Sequence, residues 1–166
     1  RAVFQGLTNL AVMGGDALRI LPNHIPPSSI SAIFVNHPEP PQQTGGADAK
    51  SQGFHLLSRE FFIDMHRALE DGGMLTIVTD NRWYAMLLLK IVAALNNAGV
   101  RFKSKKLSEG SRVHSEGGVH LYQGSPGPEC GHVVKASSYF DRLWQKGINR
   151  HAETTNRFFL CIVRLE

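Results

Sequence analysis

Short, wholly apolar runs alternate with amphipathic stretches along the chain, and this alternation predicts an α/β fold. Asn9–Met13 (NLAVM), Ser31–Val35 (SAIFV) and Met74–Val78 (MLTIV) are three such runs. Continuous apolar segments of this length suit strands buried on both faces of a parallel sheet. Each run gives way to polar or turn-forming residues. Gly14-Gly15-Asp16 follow the first, Asn36-His37-Pro38-Glu39-Pro40-Pro41 the second, and Thr79-Asp80-Asn81 the third. Arg157–Leu165 (RFFLCIVRL) predicts a closing strand.

Two helices are signalled between these runs. Ser58 is placed to cap the first, Glu60 lies in its first turn, and Gly72-Gly73 marks its end. Its apolar positions Phe61, Phe62, Met65 and Leu69 fall on one face. Asn81 is placed to cap the second, which runs to about Asn97 and stops before Gly99. There, Trp83, Leu87, Ile91 and Leu95 share a face, and apolar neighbours point to deep packing. The apolar run Tyr84–Leu95, interrupted by Lys90, is too short to span a bilayer and reads as a core helix. Pro38–Gly53 is a polar loop rich in Pro, Gly and Gln. The glycine-rich stretch 107–135 carries no clear pattern.

At 166 residues the chain suits one domain. With 42% apolar and 19% charged residues it can build a packed interior, which excludes wholesale disorder. The net charge of +4 permits a polyanionic partner without demanding one. Cys130 and Cys161 are the two cysteines, too few for a disulfide framework or a four-cysteine zinc site, and they fit a reducing, intracellular compartment in the cytoplasm or nucleus. Cys161, inside the closing strand, reads as core. Histidines 24, 66, 114, 120, 132 and 151 show no metal-ligand spacing. Arg101, Lys103 and Lys105 alternate onto one face of a strand, either to meet phosphate or simply as a solvated edge. No secretion signal or membrane span is visible, and the chain starts at Arg1, so a further segment upstream is expected.

In open α/β sheets ligands bind beyond the carboxyl ends of the strands. The polar tips Asp16, Asn36/Glu39 and Thr79/Asp80/Asn81 would therefore meet on one rim. Taken singly, Asp16, Ser58 and Asn81 are ordinary turn and cap residues. Taken together on one rim, with a proline-rich turn among them, they outline a site.

The segment Leu69-Glu70-Asp71-Gly72-Gly73-Met74-Leu75-Thr76-Ile77-Val78-Thr79-Asp80-Asn81, with Tyr84 three residues on, resembles the region around the fifth strand of the tRNA (guanine-N7-)-methyltransferases. Asn9–Ala17 is similar to that family's third strand and its acidic end. His37-Pro38-Glu39-Pro40 stands where the family has Phe-Pro-Asp-Pro, and Ser138-Tyr139-Phe140-Asp141 is similar to its Thr-x-x-Glu motif. The resemblance implies a Rossmann-like class I methyltransferase sheet, mostly parallel with an antiparallel C-terminal strand. The sheet's first strands are missing from this chain, so residues 1–166 would be the C-terminal larger part of one domain. It further implies an S-adenosylmethionine-dependent enzyme that methylates guanine N7, in tRNA. In that reading Asp16, Ala17 and Asn36 bind the cofactor, Glu39 is the catalytic carboxylate, and Asp80, Ser138 and Asp141 hold the substrate. No metal is implied. Because eukaryotic members of the resembled family work with a WD-repeat partner, such a partner is a further expectation.

The chain departs from the family pattern in residues that touch chemistry. Glu39 replaces Asp, and Ser138/Asp141 replace Thr/Glu, which keeps charge or donor type but alters reach. The loop after Glu39 holds Lys50 as its one Lys or Arg through His55, with Gln43 where a lysine is expected. Phosphate contacts dominate nucleic-acid affinity, so tRNA binding through this loop is expected to be weak or rebuilt elsewhere, with Arg142, Lys146, Arg150 and Arg157 better placed for the RNA backbone. Two other functions stay open: a catalytically degenerate binding or scaffold subunit, and a small-molecule methyltransferase.

Overall fold

Ile30–Asn36 (β1) and Leu69–Thr79 (β2) are joined through the helix Arg59–Ala68 (α2) and lie parallel, as a strand–helix–strand unit requires. The structure, a computed structural model, describes residues 8–41, 55–107, 111–131 and 157–166. Ahead of β1 runs a short helix, Ala17–His24 (α1). Arg82–Asn97 (α3), Phe102–Ser104 (β3), Ser111–Glu116 (β4), Val119–Gln123 (β5), a 3₁₀ turn at Pro128–Cys130 and Phe158–Arg164 (β6) follow β2.

The sheet has six strands in the order β1-β2-β6-β5-β4, with β3 also on β6. The closing strand forms as expected and is antiparallel to β2, pairing Thr76 with Cys161 and Thr79 with Phe158. The sheet is mixed: β1/β2 is parallel, while the described pairs involving β3, β4, β5 and β6 are antiparallel.

Helices α2 and α3 cover one face of the sheet. Leu75 and Ile77 of β2 and Phe158, Leu160 and Ile162 of β6 point toward Phe61, Phe62, Met65, Tyr84, Leu88 and Val92. On the other face, Val78, Phe159 and Cys161 pack with Tyr122 and Cys130, and the Tyr122 and Phe159 rings stack at 5.4 Å. The helix caps are the expected ones: Ser58 Oγ accepts from Phe61 N–H and Asn81 Oδ1 from Tyr84 N–H, at 3.3 and 3.0 Å.

Four details differ from the pattern-based expectation. Asn9–Met13 does not form a strand; Leu10, Val12 and Met13 are 55%, 86% and 52% exposed. A strand needs a neighbour for its backbone N–H and C=O groups, and none of the described strands lies beside this run. Next, α2 ends at Ala68, before Gly72-Gly73, because Leu69 already pairs with Ile30. Two steps along β1 then match five along β2, and the surplus folds into a tight turn. There Gly72 has φ +73°, and a Cβ on Gly73 would lie 2.7 Å from the Glu70 carbonyl oxygen.

The third difference concerns α3, which buries Tyr84, Ala85, Leu88, Leu89, Val92 and Leu95, while Trp83 stays 39% exposed. Of the expected stripe of Trp83, Leu87, Ile91 and Leu95, Leu95 is fully buried and Leu87 and Ile91 pack half-buried against the core, while Trp83 falls on the flank, because the helix is apolar on both sides and only the sheet selects a face. Finally, the stretch 107–135 contains a hairpin: Gly117 and Gly118, at φ +55° and +79°, connect β4 to β5. A glycine pair with positive φ suits the turn whose twist matches paired strands, and this was the available sequence signal.

A single guanidinium ties α1 to α2. Arg67 Nη2 donates to the carbonyls of Leu21, Pro22 and Ile25 at 3.0, 3.3 and 3.1 Å, satisfying the end of a helix that contains a proline.

Candidate active site

Parallel pairing of β1 and β2 sets Asn36 opposite Val78, so the two strands release their following residues side by side. His37 keeps the chains together for one more step, its N–H donating to the Val78 carbonyl at 2.7 Å. It does so at φ +49°, outside the usual range for a non-glycine residue. Its Nδ1 then lies 4.0 Å from Asp80 Oδ1.

Glu39 follows between Pro38 and Pro40, with Pro41 buried behind it. Proline fixes φ near −65°, so an exposed carboxylate is carried on a stiff stem with a buried foot. Thr79 Oγ1 accepts from Asn81 N–H at 3.2 Å and shapes the turn that displays Asp80.

Asp16 takes the ordinary cap role: its Oδ1 accepts from Leu18 N–H at 3.0 Å at the start of α1. Its neighbours Gly15 and Ala17 line a cavity of about 500 Å³, which Ala32 and Phe34 of β1 and Leu56 and Phe61 also border. The side chains that line it are all apolar. An apolar wall of this kind suits a flat ring such as the adenine end of S-adenosylmethionine. The residues present do not provide polar partners for its ribose or amino-acid end among the described residues.

The structure thus brings Asn36, Glu39 and Asp80 to the end of the β1/β2 pair and sets Ala17 against β1. Ser138 and Asp141 lie outside the described residues, as do most of the loop after Glu39 and the cations at 142, 146 and 150. Arg101 and Lys103 do point outward together. However, β3 pairs with the part of β6 that faces Met74, at the far end of β2 from Asp80. These cations are remote from the rim and fit the solvated-edge reading. No group of three or more His, Cys, Asp or Glu side chains suited to a metal occurs among the described residues. None of the described helices is long and apolar enough to cross a membrane.

A pair that pattern reading missed secures the rim from behind. Tyr84, fully buried in the first turn of α3, has its hydroxyl 3.1 Å from His55 Nδ1, and the rings meet edge to face. Burial pushes the Tyr84 hydroxyl up to about 12 and His55 below the ordinary 6.5. Burial thus favours the neutral form of both groups, and the hydrogen bond between phenol and imidazole runs in the direction the imidazole tautomer sets.

His66 is also lowered, by burial and the Arg164 charge, against backbone bonds from Arg101 and Leu165 that raise it. The unfolded chain takes up these protons at higher pH than the folded one. Stability from both histidines is therefore full above 6.5 and is lost as pH falls through their folded values. Thermal unfolding followed from about pH 7 to about pH 5 should show a falling midpoint. The His55→Gln/His66→Gln double variant should show a flatter slope, and an equal slope would remove the assignment.

Three comparisons bear on this geometry. A curated relative from Hydrogenovibrio crunogenus, named tRNA (guanine-N(7)-)-methyltransferase, is 31% identical over 90 residues, covering 54% of this chain and 35% of that protein. One of the same name from Chloroherpeton thalassium is 30% identical over 90 residues, covering 54% and 37%. The aligned stretch thus spans little more than a third of either relative. Among solved structures, a geranyl diphosphate methyltransferase in complex with SAM superposes with a TM-score of 0.46 at 11% identity, covering 99% of this chain and 62% of that one. A family model matches residues 1–117, a range holding Asp16, Ala17, Asn36, Glu39 and Asp80. By that match, over more than half its length, the chain belongs to the family described as "Putative methyltransferase".

Proposed function

We propose that the chain forms the C-terminal larger part of one S-adenosylmethionine-dependent methyltransferase domain that acts on guanine N7, with tRNA as substrate. The observation that carries this reading is the delivery of Glu39 and Asp80 to one rim by the β1/β2 pair, with His37 4.0 Å from Asp80. The printed names of the relatives supply the substrate class.

The chemistry suits carboxylates. Guanine N7 already offers a lone pair, so no base is needed to remove a proton first. The cofactor, when bound, supplies an electrophilic methyl group on a sulfonium. Glu39 accepts hydrogen bonds from the Watson–Crick donors of guanine, and these strengthen as the base becomes cationic. Asp80 orients the base, with Ser138 and Asp141 completing the substrate site. Asp16, Ala17 and Asn36 take the cofactor. Orientation of donor and acceptor in line contributes much of the rate.

Titration calorimetry of the full-length protein with S-adenosylmethionine tests the reading. Saturable one-to-one binding is expected, and absence of heat at saturating cofactor would overturn it.

One observation favours a second reading. The loop through residue 55 is poor in cations, and Arg101 and Lys103 stand at the opposite end of the sheet. A binding or scaffold subunit, with a WD-repeat protein as its partner, would need no phosphate contacts at the rim.

A further inference from the structure

His37 stands at the tip of the β1/β2 pair in an uncommon backbone conformation. Its φ of +49° lies in the left-handed region that glycine occupies without penalty and other residues at a cost. Two neighbours hold it there. The His37 N–H is committed to the Val78 carbonyl at 2.7 Å, one step past Asn36, and Pro38 disfavours the ordinary helical conformation for the residue before it. What histidine adds over glycine is its ring, and the ring reaches across the strand ends: Nδ1 lies 4.0 Å from Asp80 Oδ1. Strained residues of this kind cluster at functional sites.

The pair does little for stability. The His37 and Asp80 side chains are 37% and 44% exposed, and ion pairs in such settings contribute little. The contact is also longer than a hydrogen bond, so a neutral ring leaves the lone pairs of the carboxylate to other donors. A charged ring draws the carboxylate toward itself. Among the described residues His37 is the one ion-pair partner of Asp80.

We propose that His37 is a positioning residue for Asp80: its neutral ring leaves the carboxylate free to hold the guanine, and its protonated ring withdraws it. The inference rests on the methyl-transfer reading above. Methylation at N7 makes the base cationic, so an imidazolium beside Asp80 opposes the charge that Asp80 would stabilise. The other charged or titratable groups on the segments that meet here are Glu39 on the same loop, Arg82 at the start of α3, and His55 with Tyr84 behind that turn. Arginine keeps its charge throughout, carboxylates ordinarily titrate near 4, and histidine is the side chain that changes charge between about pH 5 and 8. Burial lowers His55, and His37→Asn leaves His55 in place as an internal control.

The test follows the ¹³C resonance of the Asp80 carboxyl group in the full-length protein from about pH 8 to about pH 5.5, with the signal assigned by its loss in Asp80→Asn. Single-turnover transfer to tRNA is measured over the same range. The Asp80 resonance should move as pH falls in the native protein and hold still in His37→Asn. Asparagine also tolerates a positive φ, so the bond to Val78 is retained. Transfer by the native protein should fall about tenfold or more toward the acid end, and His37→Asn should flatten that limb. A resonance that holds still in the native protein overturns the proposal without any variant. So does one that moves equally in His37→Asn, or an acid limb of equal depth in that variant. A moving resonance with no methyl transfer at any pH would keep the pairing and overturn the reading it rests on.

Discussion

Glu39→Ala is expected to lower methyl transfer to tRNA by about a hundredfold to a thousandfold, the cost of removing one preorganised electrostatic partner from a reacting group. S-adenosylmethionine affinity should stay as it was, because the residues proposed to take the cofactor, Asp16, Ala17 and Asn36, are untouched. The structure gives this variant a clean background. Glu39 is exposed, and its backbone is held by Pro38 and Pro40 with Pro41 buried, so losing the side chain removes no core contact. Single-turnover kinetics on full-length protein, beside calorimetry of the same samples, separates chemistry from binding. Glu39→Asp adds a second arm. It shortens the side chain by one methylene and restores the residue found in the resembled family, so it should keep most of the activity or exceed it. Turnover unchanged in Glu39→Ala would show that another group carries the role.

Leu88→Ala is expected to destabilise the fold by about 2–5 kcal/mol, whereas Trp83→Ala should cost well under half as much despite removing a larger side chain. Leu88 has no exposed surface and packs in the cluster shared by β2, β6 and α2. Trp83 stands one helical turn ahead on the flank and is 39% exposed, so water already solvates much of it. Truncation in a sealed site loses transfer energy and leaves a cavity, while at the flank the space opens to solvent. Urea unfolding of both variants decides between the two apolar stripes of α3. A larger loss for Trp83→Ala would return the helix to the face that sequence periodicity favours.

Much of the framework around the candidate site was legible in the sequence. The caps at Ser58 and Asn81, the strands around residues 31–35 and 74–78, the closing strand, and the polar residues after β1 and β2 follow from local rules. A cap needs only its own next turn, and a strand end is marked by the proline or Asx residues that stop it. His55 and Tyr84 were not legible, because they lie 29 positions apart and nothing local announces that they touch. The packing of Cys130 and Cys161 into one buried cluster is of the same kind.

The chain on its own therefore determined where elements start and stop, which residues cap them, and which carboxylates follow the strands. Tertiary structure decided that Asn9–Met13 takes no strand partner among the described residues, that Leu69 leaves its helix to pair with Ile30, and that α3 turns Leu88 rather than Trp83 inward. The reason is common to all three. Hydrogen-bond partners for a strand, and the face a helix buries, are supplied by segments distant in sequence, and an apolar run carries no record of which neighbour will cover it.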